Sequence, residues 1–439
     1  MFLARLLVLF SLVCISCAHS SFEQKQLKHA LDFATSNRLE LEILLQHYTY
    51  DSLKLEAAKF LIRNMPHCYS YQQGGEMDSV KRVRTYYSPF GQIDQTYARR
   101  WGHYTYRNLL KIYDAHIITA EYLIDNIDRA FDNWQKRPWN RSLSFEDFCE
   151  YLLPYRIGDE PLEEWRELYE KKYGYLLDSI YKGGDVVEAA NLVSRHLQEP
   201  VFIYCEDFEL PHIGPRYLFS HRYGSCVDAA DIVTYAFRAV GIPCMEDTDA
   251  RGGHVWNVVR DTTGRDVPIW YIASEAVRGS RDTGGYKRGK VYRPMYGFQE
   301  EKAAHLGDDW KSMPLLFYHP YMKDVSYAYY PDTLRILTGI PDDEVCYLAH
   351  FHEAHWWSCA CARSASGKME IPNLESELVY LPIKYTKGNY YPSGFPFWFA
   401  GGEINTFLPD WEKTVKVRLY RKYPVYGWLR SFMGHVVGG

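Results

Sequence analysis

The chain has 439 residues, too many for one ordinary hydrophobic core at roughly 100 to 200 residues per domain, so two or three domains are expected. Its 50 Lys and Arg against 55 Asp and Glu leave a formal charge of -5, which excludes a basic field for nucleic acid and an acidic interaction tail. The 38 tyrosines suit wet binding surfaces as well as cores, because each pairs an apolar ring with a polar tip.

The first residues, MFLARLLVLFSLVCISC, carry one basic residue and then an apolar run of about a dozen, too short to span a bilayer and right for the core of an export signal. Ser16 and Cys17 at its end resemble the lipobox of bacterial lipoproteins, which implies lipidation at Cys17; Cys14 stands where that box is usually aliphatic, and cleavage after Ala18 is the alternative. No later run is comparably apolar. Residues 1–17 thus read as a signal, and the rest as exported to the periplasm or cell surface.

Residues 18–184 read as a helical region. In DAHIITAEYLIDNIDRAFDNW the apolar set Ile117, Ala120, Ile124, Ile127, Phe131, Trp134 recurs at spacings of 3 and 4, one stripe of an amphipathic helix. Pro66 and Pro138 end helices, and Ser144 with Asp147 forms a capping box. From 185 to 310 a helix gives way to strands. From 311 to 424 short β-type runs (VCYLAHF, ELVYLPIKY, VKVRLY) predict an all-β domain, and 425–439 reads as a tail.

HRYGSCVDAADIVTYAFRAVGIP carries the chemistry. Ser225 as cap and Asp228 three residues on place Cys226 at the first helical position; Val227, Ala230, Val233, Phe237 and Val240 form the core stripe, and Gly241 closes the helix before Pro243. The helix dipole contributes only about 0.3 to 1 kcal/mol, too little to turn a thiol of pKa about 8.5 into a nucleophile, so a histidine is needed. Cys244 is a poor disulfide partner for Cys226, because a helix of about 14 residues separates them by roughly 20 Å. GGHVWNVV offers His254 at a strand start, with Trp256 on the same strand face to wall the site. A carboxylate normally orients such an imidazole, and Asp266 and Glu275 compete for that role. A hairpin turning at Thr263-Gly264 puts Ala273 opposite His254 and Glu275 diagonally on its face, with Asp266 near Arg260, so geometry prefers Glu275.

The run GSC, a helix ending in RAVGIP, then GGHVWN and a strand with an acid resemble the transglutaminase-like superfamily, a papain-type Cys-His-Asp fold, in its exported Bacteroidetes branch. NRLELEILLQHY, LKLEAAKFLIRNMP, YLIDNIDRAF, FCEYLLPYRIGDEPLEEWR, ELVYLPIKY and RKYP share that resemblance. It implies an α+β fold with a helical N-terminal region, a transglutaminase-like (papain-like) core and a C-terminal β-sandwich. It also implies Cys226 as nucleophile, His254 as base and acid, and Glu275 where the family usually has Asp, with Trp256 and Tyr223 beside the substrate. The chemistry expected is acyl transfer from a peptide or glycopeptide amide through a Cys226 thioester, ending in hydrolysis rather than crosslinking. No cofactor and no metal is required. The alternative is an inactive scaffold whose tyrosine- and tryptophan-rich β-domain binds glycan or peptide.

One stretch competes. AHFHEAHWWSCAC holds His350, His352, His355, Cys359 and Cys361, all metal-ligand types, yet its H-E-A-H spacing misses the zincin pattern. As a hairpin turning at Glu353-Ala354 it sets His352 opposite His355 and Cys346 opposite Cys361, and a β-hairpin core is the reading preferred over metal or disulfide.

Overall fold

A computed structural model describes residues 21–86, 100, 104–199, 201–205, 210–251, 253–270, 274–280, 287–300, 313–337, 341–352 and 355–413. Cys17 and the signal segment, Ala273, the VKVRLY and RKYP runs and the tail from 425 lie outside these. Among the described residues no helix is long and apolar enough to cross a membrane.

The N-terminal part is helical: α1 (Arg38–His47), α2 (Ser52–Asn64), α3 (Glu76–Val83), α4 (Ala120–Lys136) and α5 (Phe145–Tyr151). Leu41, Leu44, Leu61, Ile127, Phe131 and Phe148 form its core. Of the expected capping box at α5 the Ser144 cap is present, with the Asp147 amide donating to Ser144 Oγ at 3.0 Å. α4 starts later than its stripe suggests. Thr119 Oγ1 accepts from the Tyr122 amide at 3.2 Å, which fixes the start at Ala120 and leaves Ile117 outside the helix and 48% exposed.

Two short strand pairs, β1 (Tyr69–Tyr71) with β2 (Lys111–Tyr113) and β3 (Ile203–Tyr204) with β4 (Tyr223–Gly224), accompany a layer of helices on an antiparallel sheet in the middle of the chain. β5 (Cys244–Asp249), β6 (Val255–Arg260), β7 (Asp266–Ile269), β8 (Val291–Pro294) and β9 (Met322–Asp324) stand in the order β7-β6-β5-β8-β9. On one face lie α6 (Arg166–Tyr175), α7 (Val186–His196) and, after the short α8 (Pro215–Ser220), α9 (Cys226–Ala239). Val233 and Phe237 of α9 meet Val259 and Ile269 there, and Trp165 and Tyr169 join the same cluster, so helices before residue 185 help build this core. The other face buries Met245, Trp256 and Val258 against Tyr151 and Tyr329. With both faces covered, every residue of β5 is buried, including Asp247, whose carboxylate is held by Arg293 at 2.5 Å and the Tyr329 hydroxyl at 2.7 Å.

The C-terminal part is all β, and the molecule as a whole is α+β. β11 (Val345–His352), β12 (His355–Arg363), β14 (Leu378–Thr386), β16 (Phe397–Ala400) and β17 (Glu403–Thr406) form one sheet in the order β12-β11-β14-β16-β17, with β15 (Asn389–Pro392) also pairing β14. β10 (Asp332–Leu337) and β13 (Lys368–Leu374) make a second pair, whose Leu334, Met369 and Ile371 pack on Leu348, Tyr380 and Phe399 of the first. The opposite face, through Tyr347, Leu381 and Ile383, packs on Tyr292 and Phe317.

Two registers differ from expectation, each for a local reason. Between β6 and β7, Asn257 faces Ile269 and Arg260 faces Asp266, one residue off the pairing that would set His254 opposite Ala273. Asp261 Oδ1 accepts from the amides of Thr263 at 2.8 Å and Arg265 at 3.0 Å, and this side-chain turn fixes a loop centred on Thr263 rather than on the Thr263-Gly264 bond. In the β11–β12 hairpin His352 does face His355, but a bulge between Leu348 and Ala349 absorbs Cys359, so Cys346 faces Ala362 and Cys361 faces Tyr347.

Candidate functional site

The Asp228 carboxylate accepts from the Ser225 amide at 2.7 Å and the Ser225 hydroxyl at 3.2 Å, which holds Ser225 extended at φ -88 and starts α9 at Cys226. Asp228 is itself buried and paired with Arg84 at 2.9 Å. Cys226 is a half-buried thiol at the positive end of a 14-residue helix.

The thiol opens on a cavity of about 620 Å³ between α9, β5 and the loops that carry His212 and Tyr321. One stripe of α9 runs along this side, because Val227, Asp231, Thr234 and Arg238 follow each other at helical spacings of 4, 3 and 4. Asp231 is fully buried, and each of its carboxylate oxygens lies 3.0 Å from His212 Nδ1. The His212 amide donates to Asp159 at 2.9 Å, and its ring lies flat against residue 158, where a Cβ would come within 2.3 Å of Nε2; only glycine fits. With Nδ1 committed to Asp231, Nε2 is the ring atom left for proton transfer.

Electrostatics keeps this pair ionic. Burial disfavours a charged His212 ring, but the Asp231 carboxylate at contact, with Asp159 and Glu160 behind it, more than offsets that and raises the imidazole well above its ordinary range. Burial pushes Asp231 upward, and the His212 charge opposes it. Next along the stripe, Thr234 donates to Glu246 at 2.7 Å and accepts from Asn257 at 2.9 Å. Glu246 is raised by burial and by the Asp231 charge beside it.

The other residues picked from the sequence lie elsewhere. Asn257 donates to the Ala230 carbonyl at 3.0 Å, so odd-numbered residues of β6 face α9, and His254 and Trp256 stand on the opposite face. Trp256 is 1% exposed and donates to the Tyr329 hydroxyl at 2.8 Å; it shares His254's face, as expected, but is core and does not line the cavity. The His254 ring stacks on Trp270 with centroids 6.2 Å apart, and burial with the nearby Arg288 charge lowers it to about 4. Asp249, the acid acting on it, spends its carboxylate on Arg251 at 2.8 Å and the Gly253 amide at 2.9 Å. Tyr223 forms a short parallel bridge, Tyr223 opposite Ile203, and packs beside Val80 and Cys205. β7 stops at Ile269, and the chain then turns onto α7: Ala276 exchanges two hydrogen bonds with Asn191, and the Glu275 carboxylate, 66% exposed, pairs with Arg195 at 3.3 Å. Glu275 thus lies against α7 and His254 on the sheet face away from α9, and of the imidazoles that line the cavity with Cys226, namely His67, His212 and His319, His212 is held by a buried carboxylate.

Sequence reasoning did not single out His212, Asp231 or Glu246. The available signal was a polar stripe, Asp231, Thr234 and Arg238, inside an otherwise apolar helix. At the hairpin of β11 and β12, His350 is fully buried, and no group of three or more His, Cys, Asp or Glu able to hold a metal occurs among the described residues. Compared with known proteins, the chain matches no family model, no curated protein and no solved structure.

Proposed function

We propose that this chain is a transglutaminase-like thiol enzyme of the cell envelope that acts on a peptide or glycopeptide amide and ends in hydrolysis. The observation that carries this reading is that the Cys226 thiol, at a helix N-terminus, and an imidazole oriented by a buried carboxylate line one cavity. In the cycle, Cys226 reacts as the thiolate of an ion pair with the His212 imidazolium, and the sulfur attacks the amide carbonyl. The tetrahedral intermediate collapses as the amine leaves with the His212 Nε2 proton, giving a thioester and a neutral imidazole. Water, deprotonated by that nitrogen, then attacks the thioester, releases the acid and restores the thiolate and imidazolium. The Cys226 amide, in the first turn of α9, is one donor for the oxyanion. Asp231 holds the tautomer and stabilises the imidazolium.

The scatter of Cys226, His254 and Glu275 favours a second reading, an inactive transglutaminase-like scaffold that holds its ligand in the same cavity. Alkylation by iodoacetamide, mapped to Cys226 by mass spectrometry from pH 5 to 9, separates the two. The enzyme reading expects Cys226 to react near pH 7 at least tenfold faster than an unstructured thiol, His212→Ala to abolish that excess, and His254→Ala to leave it within twofold. A Cys226 rate no higher than that of a peptide thiol sinks it. Loss of the excess in His254→Ala alone would return the base to His254.

A further inference from the structure

We infer that Glu246 is a recognition site for a cationic nitrogen, an alkylammonium group carried by the substrate at a point remote from the reacting amide. The inference rests on the thiol reading for its role in catalysis, but the site itself stands on independent observations.

Position comes first. Glu246 is held by Thr234, which lies eight residues beyond Cys226 on α9, about 12 Å along the helix axis, whereas Asp231 lies about 7.5 Å along it. The cavity thus presents, in order, the thiol, the imidazole and this carboxylate. A group bound at Glu246 is an anchor two helical turns from the sulfur, and a charged ammonium held there is no nucleophile.

Pairing comes second. Of the other carboxylates that line the cavity, Asp228 is paired with Arg84 at 2.9 Å and Asp247 with Arg293 at 2.5 Å, while the half-buried Asp159 accepts the His212 amide at 2.9 Å and faces the His212 charge. Glu246 is 8% exposed, its Oε1 takes the Thr234 hydroxyl, and no described donor reaches its Oε2. Arg238, the nearest guanidinium, spends its nitrogens on the carbonyls of Cys244 and Arg156 and on Met245 Sδ.

Charge comes third. Burial and the Asp231 charge raise Glu246, and His212, the Thr234 hydrogen bond and Arg238 oppose this only in part, so its carboxyl is driven toward the neutral form until a positive charge comes into contact with it. A single open oxygen suits the point charge of an ammonium better than the two-pronged guanidinium. The raised Glu246 adds that amine binding at pH 7 should release a proton.

The test is calorimetric titration of the full chain with n-pentylamine and with n-pentanol at pH 7 and low salt. The amine is expected to bind at least tenfold more tightly than the alcohol. Glu246→Gln is expected to bring the two within threefold. Equal affinities in the unaltered protein, or a preference that survives in a folded Glu246→Gln, overturn the inference. Where that variant does not fold, Thr234→Val serves, with the preference expected to fall at least threefold and no fall overturning the inference. Cys226 alkylation on the same samples keeps the two proposals apart: an unreactive thiol with the preference intact sinks acyl transfer alone, and a reactive thiol without the preference sinks the cation site alone.

Discussion

At the scale of single residues, the His212–Asp231 pair is a buried ionic contact of the cavity wall. A buried ion pair is costly to break because the surviving partner keeps its desolvation penalty, so Asp231→Asn should lower stability by about 3 kcal/mol, read as the shift of a urea midpoint. The variant should also lower the His212 titration midpoint, measured by NMR. The sign follows from linkage: a histidine raised by its partner stabilises fully below its unfolded pKa of about 6.5, and the contribution is lost as pH rises through the folded value. Asp231→Asn should therefore cost most in mild acid and least in alkali. His254 is the contrasting case, a ring kept neutral at pH 7 between tryptophans and arginines.

At the scale of elements, short polar turns decide what faces what. The Asp261 side-chain turn sets the β6–β7 register, and Asp261→Ala should cost about 1 to 2 kcal/mol in denaturant unfolding by orphaning two amides and the Arg278 pair. The segment before β8 is stitched to the C-terminal sheet, since the Arg288 and Gly289 amides donate to Glu375 at 2.5 and 2.9 Å. Gly289 has φ +75, and a Cβ there would sit 2.9 Å from His350 Nδ1 and 3.1 Å from Cys359 Sγ. Gly289→Ala should then destabilise by about 1 to 3 kcal/mol, seen as a lower melting temperature, through both backbone strain and overpacking.

At the scale of the whole molecule, buried neutral histidines make the fold acid-sensitive. Burial lowers His67 and His350 to about 3, against about 6.5 in the unfolded chain. Between those values the unfolded chain binds the extra protons, so stability falls as pH drops, by about 1.4 kcal/mol per pH unit for each ring. Urea midpoints at pH 7.5 and 5 should show this loss, and His350→Gln should reduce it; equal midpoints would refute it. The histidines sit at different seams, His67 stacked on Tyr321 beside the cavity and His350 inside the β11–β12 sheet, so acid should loosen both.

Local chemistry made some of this legible in the sequence alone. The cap, first residue and end of the Cys226 helix, the Ser144 cap and the all-β C-terminal character depend on neighbours within a few residues or on a short repeat, and a linear reading recovers them. Tertiary structure decided the rest. A strand register is set by which loop amides a nearby carboxylate captures and by a single bulge, and one residue of slip reverses every face. His212 and Glu246, which line the cavity with Cys226, lie 14 residues before it and 20 after it, and only the packing of α9 on β5 and on the loop before α8 brings them to one place.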